Sequence, residues 1–122
     1  HAKIISEKGA LVIRTGYDKW LEENKPHDEN KLPHLNSSAA DFIADFRNLK
    51  VFGIDSITID PVGVRYSHQK LKNLLIVESL VHLYEIPQRV RENFDLQTSA
   101  IRIVGATGGP IVAYAFIDSK SR

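Results

Sequence analysis

Two residues whose side chains can bind a metal ion, His68 and Glu78, lie near each other in the sequence. Imidazole and carboxylate are both good ligands for zinc or manganese. Glu78 directly follows the apolar run Leu74 to Val77, which predicts that it lies at the carboxyl end of a core strand. In open α/β sheets ligands bind at that end of the strands. The pair is therefore a candidate metal site. The alternative is a surface histidine beside a strand-end carboxylate that pairs with a basic neighbour.

The remaining histidines form no second cluster. His27 and His34 belong to a polar stretch and are expected to be solvated, whereas the apolar neighbours of His82 favour packing in the core. No Ser-His-Asp set and no nucleophile elbow is found, so no catalytic residue is identified. Asp55 and Asp60 would point to opposite faces of a continuous strand, which argues against a paired-carboxylate site there.

The glycine-rich stretch Gly105 to Pro110 has the pattern G-x-x-G-G-P. This is neither the dinucleotide-binding pattern nor a Walker loop, and a strand rather than a helix is predicted to follow it. A hairpin turn that needs positive φ is favoured over a phosphate site. A nucleotide-binding α/β domain, which rests on this stretch alone, is the weakest interpretation.

Composition excludes several classes of protein. The net charge is +1, with 16 basic and 15 acidic residues spread along the chain, and the basic patch of a nucleic-acid-binding protein is absent. The chain has no cysteine, which excludes disulfides and thiolate metal ligands and is consistent with a cytoplasmic location. No apolar run approaches the roughly 18 residues of a membrane helix. We therefore expect no nucleic-acid partner and no membrane partner.

The pattern of apolar residues predicts an α/β fold with a mixed sheet and flanking helices, in a single domain over 1–122. Ser37 or Ser38 is the predicted start of one helix and Ser67 of another. Helices are predicted over 1–8, 17–23, 39–48 and 68–73, and a turn or helix over 87–94. Strands are predicted over 10–14, 74–77, 101–104 and 111–117, and residues 51–59 are predicted to form one strand or two short ones broken near 55–56.

Four segments, in order, resemble the cyclase and kynurenine-formamidase family. Residues 9–17, GALVIRTGY, resemble its GD-x-VLIRTGW region, and residues 53–60, GIDSITID, its GID-x-x-SID strand. Residues 68–80 resemble the H-x-x-LL…IVENL segment. The last segment, 101–113, resembles the closing LKI-x-G…SPVRA hairpin.

The resemblance implies a swivelling β/β/α fold and an amide hydrolase of the arylformamidase type, found in tryptophan catabolism. It further implies a divalent metal, zinc or manganese, that activates water for attack on the carbonyl of a formamide or cyclic amide. The later His and Glu ligands of the family match His68 and Glu78. The family's His-x-Gly-Thr-His-x-Asp motif does not occur in this sequence. We expect the two remaining ligands to be insufficient for catalysis by the chain alone.

The sequence departs from the family in smaller ways as well. The gap between His68 and Glu78 is shorter than usual, Ser79 stands where Asn is usual, and Val112 where Arg is common. Two interpretations remain open. The chain is the C-terminal portion of a hydrolase that acts on a small amide and associates with another copy or with a missing N-terminal segment, or it is a non-catalytic binding module that keeps the fold without the metal.

Overall fold

The computed structural model describes residues 1–118, which fall into two compact units, His1–Glu85 and Ile86–Arg122. The first unit contains a three-stranded parallel sheet with short helices, and the second contains a two-stranded antiparallel sheet. The predicted α/β class is confirmed, with the parallel and antiparallel strands in separate sheets. The single domain over 1–122 stays a prediction, and its last four residues lie outside the described range.

The parallel sheet consists of β1 (Ala10–Ile13), β2 (Val51–Ile54) and β3 (Leu75–Val77) in that spatial order. All three strands are apolar and mostly β-branched, as expected for strands covered on both faces. Val12 lies opposite Gly53 in β2, and Gly53 lies opposite Val77 in β3. The carboxyl ends of the three strands therefore lie along one edge of the sheet.

Four short helices connect or flank these strands: α1 (Ala2–Ser6), α2 (Tyr17–Glu22), α3 (Ser37–Ala44) and α4 (Tyr66–Lys70). Single 3₁₀ turns occupy Glu29–Lys31, Leu83–Glu85 and Gln88–Val90. Helices α2 and α3 lie in the connection from β1 to β2, and α4 lies in that from β2 to β3. Within the described residues, no helix has the length and apolar character needed to cross a membrane.

The core of the first unit is built on β2. Phe52 and Ile54 are fully buried, as is Ile59 just beyond the strand, and Ile43 of α3 packs with them. Burying a side chain of this size contributes about 1.5–3 kcal/mol relative to leaving it exposed. The remaining buried members of the cluster are Leu35, Leu49 and Leu71.

Both predicted serine caps are wrong. Asn36 begins α3, because its backbone is extended and its side-chain oxygen accepts a hydrogen bond from Ala39 N at 2.8 Å. Helix α4 begins after Arg65, and Ser67 lies inside it with its backbone N–H bonded to Asp60. Helix α3 ends at Ala44 instead of reaching Asn48, whose side-chain amide donates to backbone carbonyls at the end of α1.

The second unit contains β4 (Asp95–Ala100) and β5 (Ile111–Phe116). The strand predicted over 111–117 is confirmed, but the one predicted over 101–104 is wrong. The antiparallel register places Ala100 opposite Ile111, so that residues 101–110 form the connection. Polar residues fill most of β4, and the pairing with β5 rather than an apolar pattern defines it. Within the connection Gly105 has φ +77°, as expected for a turn glycine.

Candidate functional site

Polar side chains follow each strand of the parallel sheet at its carboxyl end. Arg14 and Thr15 follow β1, Asp55 follows β2, and Glu78 follows β3. This edge is where the sequence placed the candidate site, in agreement with the usual location of ligands in open α/β sheets. Two clusters of polar side chains form there.

The first cluster contains the two predicted site residues. His68, in α4, and Glu78, after β3, lie with Nε2 and Oε1 3.1 Å apart. Both side chains keep access to solvent, with 38% of His68 and 29% of Glu78 exposed. An imidazole nitrogen and a carboxylate oxygen therefore converge from two separate elements at a point that a small ion could reach. Their role as metal ligands stays a prediction.

Asp60 is a third member of this cluster, which sequence analysis missed. Its carboxylate is buried, and Oδ2 lies 2.8 Å from His68 Nδ1. Oδ1 accepts a hydrogen bond from Ser67 N at 2.7 Å, and Oδ2 accepts one from His68 N at 2.9 Å. The sequence signal was an aspartate that precedes a proline at a strand end, a few residues before the candidate histidine. By itself an Asp-Pro pair is also typical of the end of a strand.

The surroundings of Asp60 favour its ionised form. Burial acts to raise the pKa of this carboxyl, but the hydrogen bonds from the backbone of His68 and Ser67 and from the His68 ring outweigh it. The pKa of Asp60 therefore lies below its ordinary value. Asp60 carries a negative charge beside His68 throughout the neutral range.

Glu78 is also held in place by the backbone. Its Oε1 accepts a hydrogen bond from Ile59 N at 2.9 Å. The next residue, Ser79, has a left-handed backbone with φ +58°, and its N–H donates to Ser56 O at 2.7 Å. The chain after β3 is thereby attached to the segment that follows β2, which places the Glu78 carboxylate beside α4.

The second cluster fastens the turn after β1 to β2. The fully buried Asp55 accepts hydrogen bonds from Thr15 N, Thr15 Oγ1 and Gly16 N at 2.8–3.0 Å, and from Asp18 N at 3.3 Å. Gly16 has φ +95°, a conformation that suits glycine. Asp55 and Asp60 thus contact different parts of the chain, in line with the expectation that they do not form a paired site.

Asp18 lies next to this turn and is fully buried. Arg14 Nε donates to both of its carboxylate oxygens, at 3.0 and 3.2 Å, and Tyr84 N donates to one at 3.3 Å. Burial acts to raise the pKa of Asp18, but Arg14 and the backbone donors outweigh it, and the pKa lies below its ordinary value. In this ion pair Arg14 Nε and the backbone N–H groups of Lys19 and Tyr84 satisfy the Asp18 carboxylate.

The other histidines lie apart from His68. His82 is 58% exposed, and its Nδ1 lies 2.8 Å from Glu22 and 3.1 Å from Glu85. The expected core packing of His82 is wrong, because its side chain lies at the surface beside these two carboxylates. His27 and His34 are exposed, as predicted; His27 contacts the Tyr17 hydroxyl and His34 the Leu32 carbonyl.

The donor set of the first cluster fits part of a metal site. His68 offers a solvent-accessible Nε2, and Glu78 keeps a second carboxylate oxygen besides the one bonded to Ile59 N. Residues 1–118 contain no group of three or more His, Cys, Asp or Glu side chains arranged to hold a metal ion. Catalytic zinc needs three protein ligands and an open position. The described residues therefore offer two candidate ligands, fewer than such a site requires.

Comparison with protein families finds a match. The family described as "Putative cyclase" matches residues 1–61, half of the 122-residue chain. This region contains β1, β2, Asp55 and Asp60, whereas His68 and Glu78 lie beyond it. Neither the curated proteins nor the solved structures give a match. On the family match, the chain belongs to the cyclase family.

Proposed function

We propose that this chain forms part of a metal-dependent amide hydrolase that acts on a formamide or a cyclic amide, with His68 and Glu78 as two of the metal ligands. The observation that carries the proposal is the convergence of His68 Nε2 and Glu78 Oε1, 3.1 Å apart, at the carboxyl edge of the sheet. Membership of the cyclase family supports the same reaction class.

The chain's own residues supply binding and orientation. His68 presents a nitrogen donor and Glu78 an anionic oxygen donor, a combination that suits zinc or manganese. A divalent ion, when bound, supplies Lewis acidity for the amide carbonyl and a water of lowered pKa. The negative charges of Glu78 and of the nearby Asp60 favour a cation at this point over an anionic ligand.

A complete site needs further ligands from outside the described cluster. A preceding segment of the protein or a second copy of the chain would supply them. We therefore propose that activity belongs to an assembly, and that residues 1–118 alone hold the metal weakly. A site with two protein ligands leaves most coordination positions to water, which lowers its affinity relative to a three-ligand site.

One observation favours a second function, that of a binding module without a metal. His68 and Glu78 already contact each other, and each has another partner, Asp60 and Ile59 N respectively. The pair would then link α4 to β3 and contribute to stability only. This alternative predicts that the chain binds no zinc or manganese at micromolar concentration.

The test is the zinc and manganese content of the purified chain, before and after incubation with each metal. Because two protein ligands hold the metal weakly, we expect bound metal in the unmodified chain at equilibrium with excess metal, and its loss in His68→Ala and Glu78→Gln. His82→Ala is the matched control, because His82 is also exposed and also lies against carboxylates. Equal metal content in all four proteins, or none in any, would contradict the proposal. Once the remaining ligands are supplied, hydrolysis of an N-formyl aromatic amide should be retained in the unmodified chain and in His82→Ala. It should be lost in His68→Ala and Glu78→Gln.

A further inference from the structure

The ring of His68 lies between two carboxylates that differ in their access to water. Nδ1 is 2.8 Å from Asp60 Oδ2, and Nε2 is 3.1 Å from Glu78 Oε1. Asp60 is 2% exposed, whereas Glu78 is 29% exposed. A neutral imidazole carries one N–H and can donate to only one of the two. The position of this proton decides which nitrogen is free to bind a cation.

We propose that Asp60 is a positioning residue that keeps the proton of neutral His68 on Nδ1, so that the lone pair of Nε2 faces the cation site. This inference rests on the proposed function, in which Nε2 is a metal ligand. It assigns to Asp60 no contact with substrate or with the reacting atoms.

The difference in burial carries the assignment. A buried charged group that loses a hydrogen-bond donor bears its full desolvation cost, whereas an exposed one is hydrated by water. If the proton moved to Nε2, the buried Oδ2 of Asp60 would face the lone pair of Nδ1. With the proton on Nδ1, only the exposed Glu78 faces a lone pair, and its Oε1 keeps the donor Ile59 N.

Asp60 is itself held rigidly enough to orient the ring. Its two oxygens accept from the backbone N–H groups of Ser67 and His68, at 2.7 and 2.9 Å, so that carboxylate, helix α4 and imidazole form one closed set of hydrogen bonds. Histidines that bind metals generally donate their other N–H to such an acceptor, which fixes both tautomer and ring orientation.

The first test measures the tautomer in the metal-free chain by ¹⁵N NMR of the imidazole, at a pH where His68 is neutral. We expect the Nδ1–H form in the unmodified protein. In Asp60→Asn a neutral amide replaces the charged acceptor of Nδ1–H, so the Nε2–H form, which donates to Glu78 Oε1, should become more populated. Glu22→Gln is the matched control, since it changes a carboxylate that lies 2.8 Å from Nδ1 of another histidine, His82. An Nε2–H tautomer in the unmodified protein would overturn the inference even if no variant folds.

The second test measures zinc and manganese affinity by competition with a chromophoric chelator. Loss of a second-sphere partner of this kind lowers metal affinity about 10–100-fold. We expect that loss in Asp60→Asn and none in Glu22→Gln. Unchanged affinity in folded Asp60→Asn would overturn the inference. Absence of metal binding in the unmodified chain would overturn the proposed function alone, because the tautomer decides the role of Asp60 without any metal.

Discussion

Replacement of Asp55 by asparagine should destabilise the first unit more than any single change at the surface. Asp55 is fully buried and accepts hydrogen bonds from three backbone N–H groups and the Thr15 hydroxyl. The substitution removes the negative charge and turns one acceptor oxygen into a donor that faces another donor. The turn after β1 would then lose its attachment to β2.

The size of the effect follows from the donors. A hydrogen bond to a charged group contributes about 1.5–3 kcal/mol, and a buried donor left without a partner costs a similar amount. Thr15 and Gly16 are exposed, so water replaces part of what they lose. We expect Asp55→Asn to lower the free energy of unfolding by about 2–4 kcal/mol. Thr15→Val removes the hydroxyl alone and should cost about 1 kcal/mol.

Urea denaturation followed by circular dichroism gives both values by linear extrapolation. The double variant provides a further check, because the two side chains contact each other at 2.8 Å. The loss in the double variant should be smaller than the sum of the two single losses. A loss below about 0.5 kcal/mol in Asp55→Asn, the range of ordinary surface substitutions, would refute this account of the turn.

Three further predictions concern stability. The lowered pKa values of Asp18 and Asp60 stabilise the fold above the unfolded-state pKa of about 3.9. This stabilising contribution should be lost as the pH falls through the lowered pKa values of the folded state. Between pH 6 and pH 2 the urea midpoint of Asp18→Asn should therefore fall less than that of the unmodified protein. An equal fall in both proteins would contradict the assignment. Because φ is +58° at Ser79, Ser79→Gly should raise the free energy of unfolding by about 0.5–1 kcal/mol and Ser79→Val should lower it by a similar amount. If the three proteins are equally stable in urea, the backbone at this position carries no strain. Gly53→Ala should cost about 1–3 kcal/mol, since the new Cβ would lie 2.9 Å from Leu80 Cδ1. In a Leu80→Ala background, Gly53→Ala should cost less, because the side chain it would meet is absent. If thermal unfolding shows that the losses of stability in the two single variants simply add in the double variant, Leu80 is not the source of the cost.

The first unit could largely be predicted from the sequence, because its strands are runs of apolar β-branched residues. The predictions for β1 and β3 agree with the structure to within one residue, whereas β2 ends at Ile54 and the strand predicted to continue to Ile59 is wrong. The proximity of His68 and Glu78 also followed, since a strand end and a nearby helix meet at the carboxyl edge of a parallel sheet. The pattern of apolar residues was enough to predict the strands, and a general rule of α/β topology was enough to predict the proximity of His68 and Glu78.

What the sequence did not predict depends on tertiary contacts. Asp60 binds backbone N–H groups that only the turn before α4 brings within reach, and no local pattern records that turn. The strand β4 is polar, so that its pairing with β5 and not its own composition defines it. The family resemblance has Asn at the position of Ser79. The structure gives a physical reason, because Asn tolerates the left-handed backbone found there better than Ser does.

The segment 55–60 leaves little freedom for evolution to change its length. Asp55 holds the turn after β1, Ile59 N holds Glu78, and Asp60 holds the start of α4. One inserted or deleted residue would shift at least one of these contacts by more than 3 Å, the length of an extended residue. Among the described residues, the exposed stretch 24–31 has no comparable contacts with the sheet edge, whereas Leu35 N donates to Ile59 O. Insertions and deletions between members of the family should therefore accumulate in 24–31, and the spacing between residues 55 and 60 should stay constant.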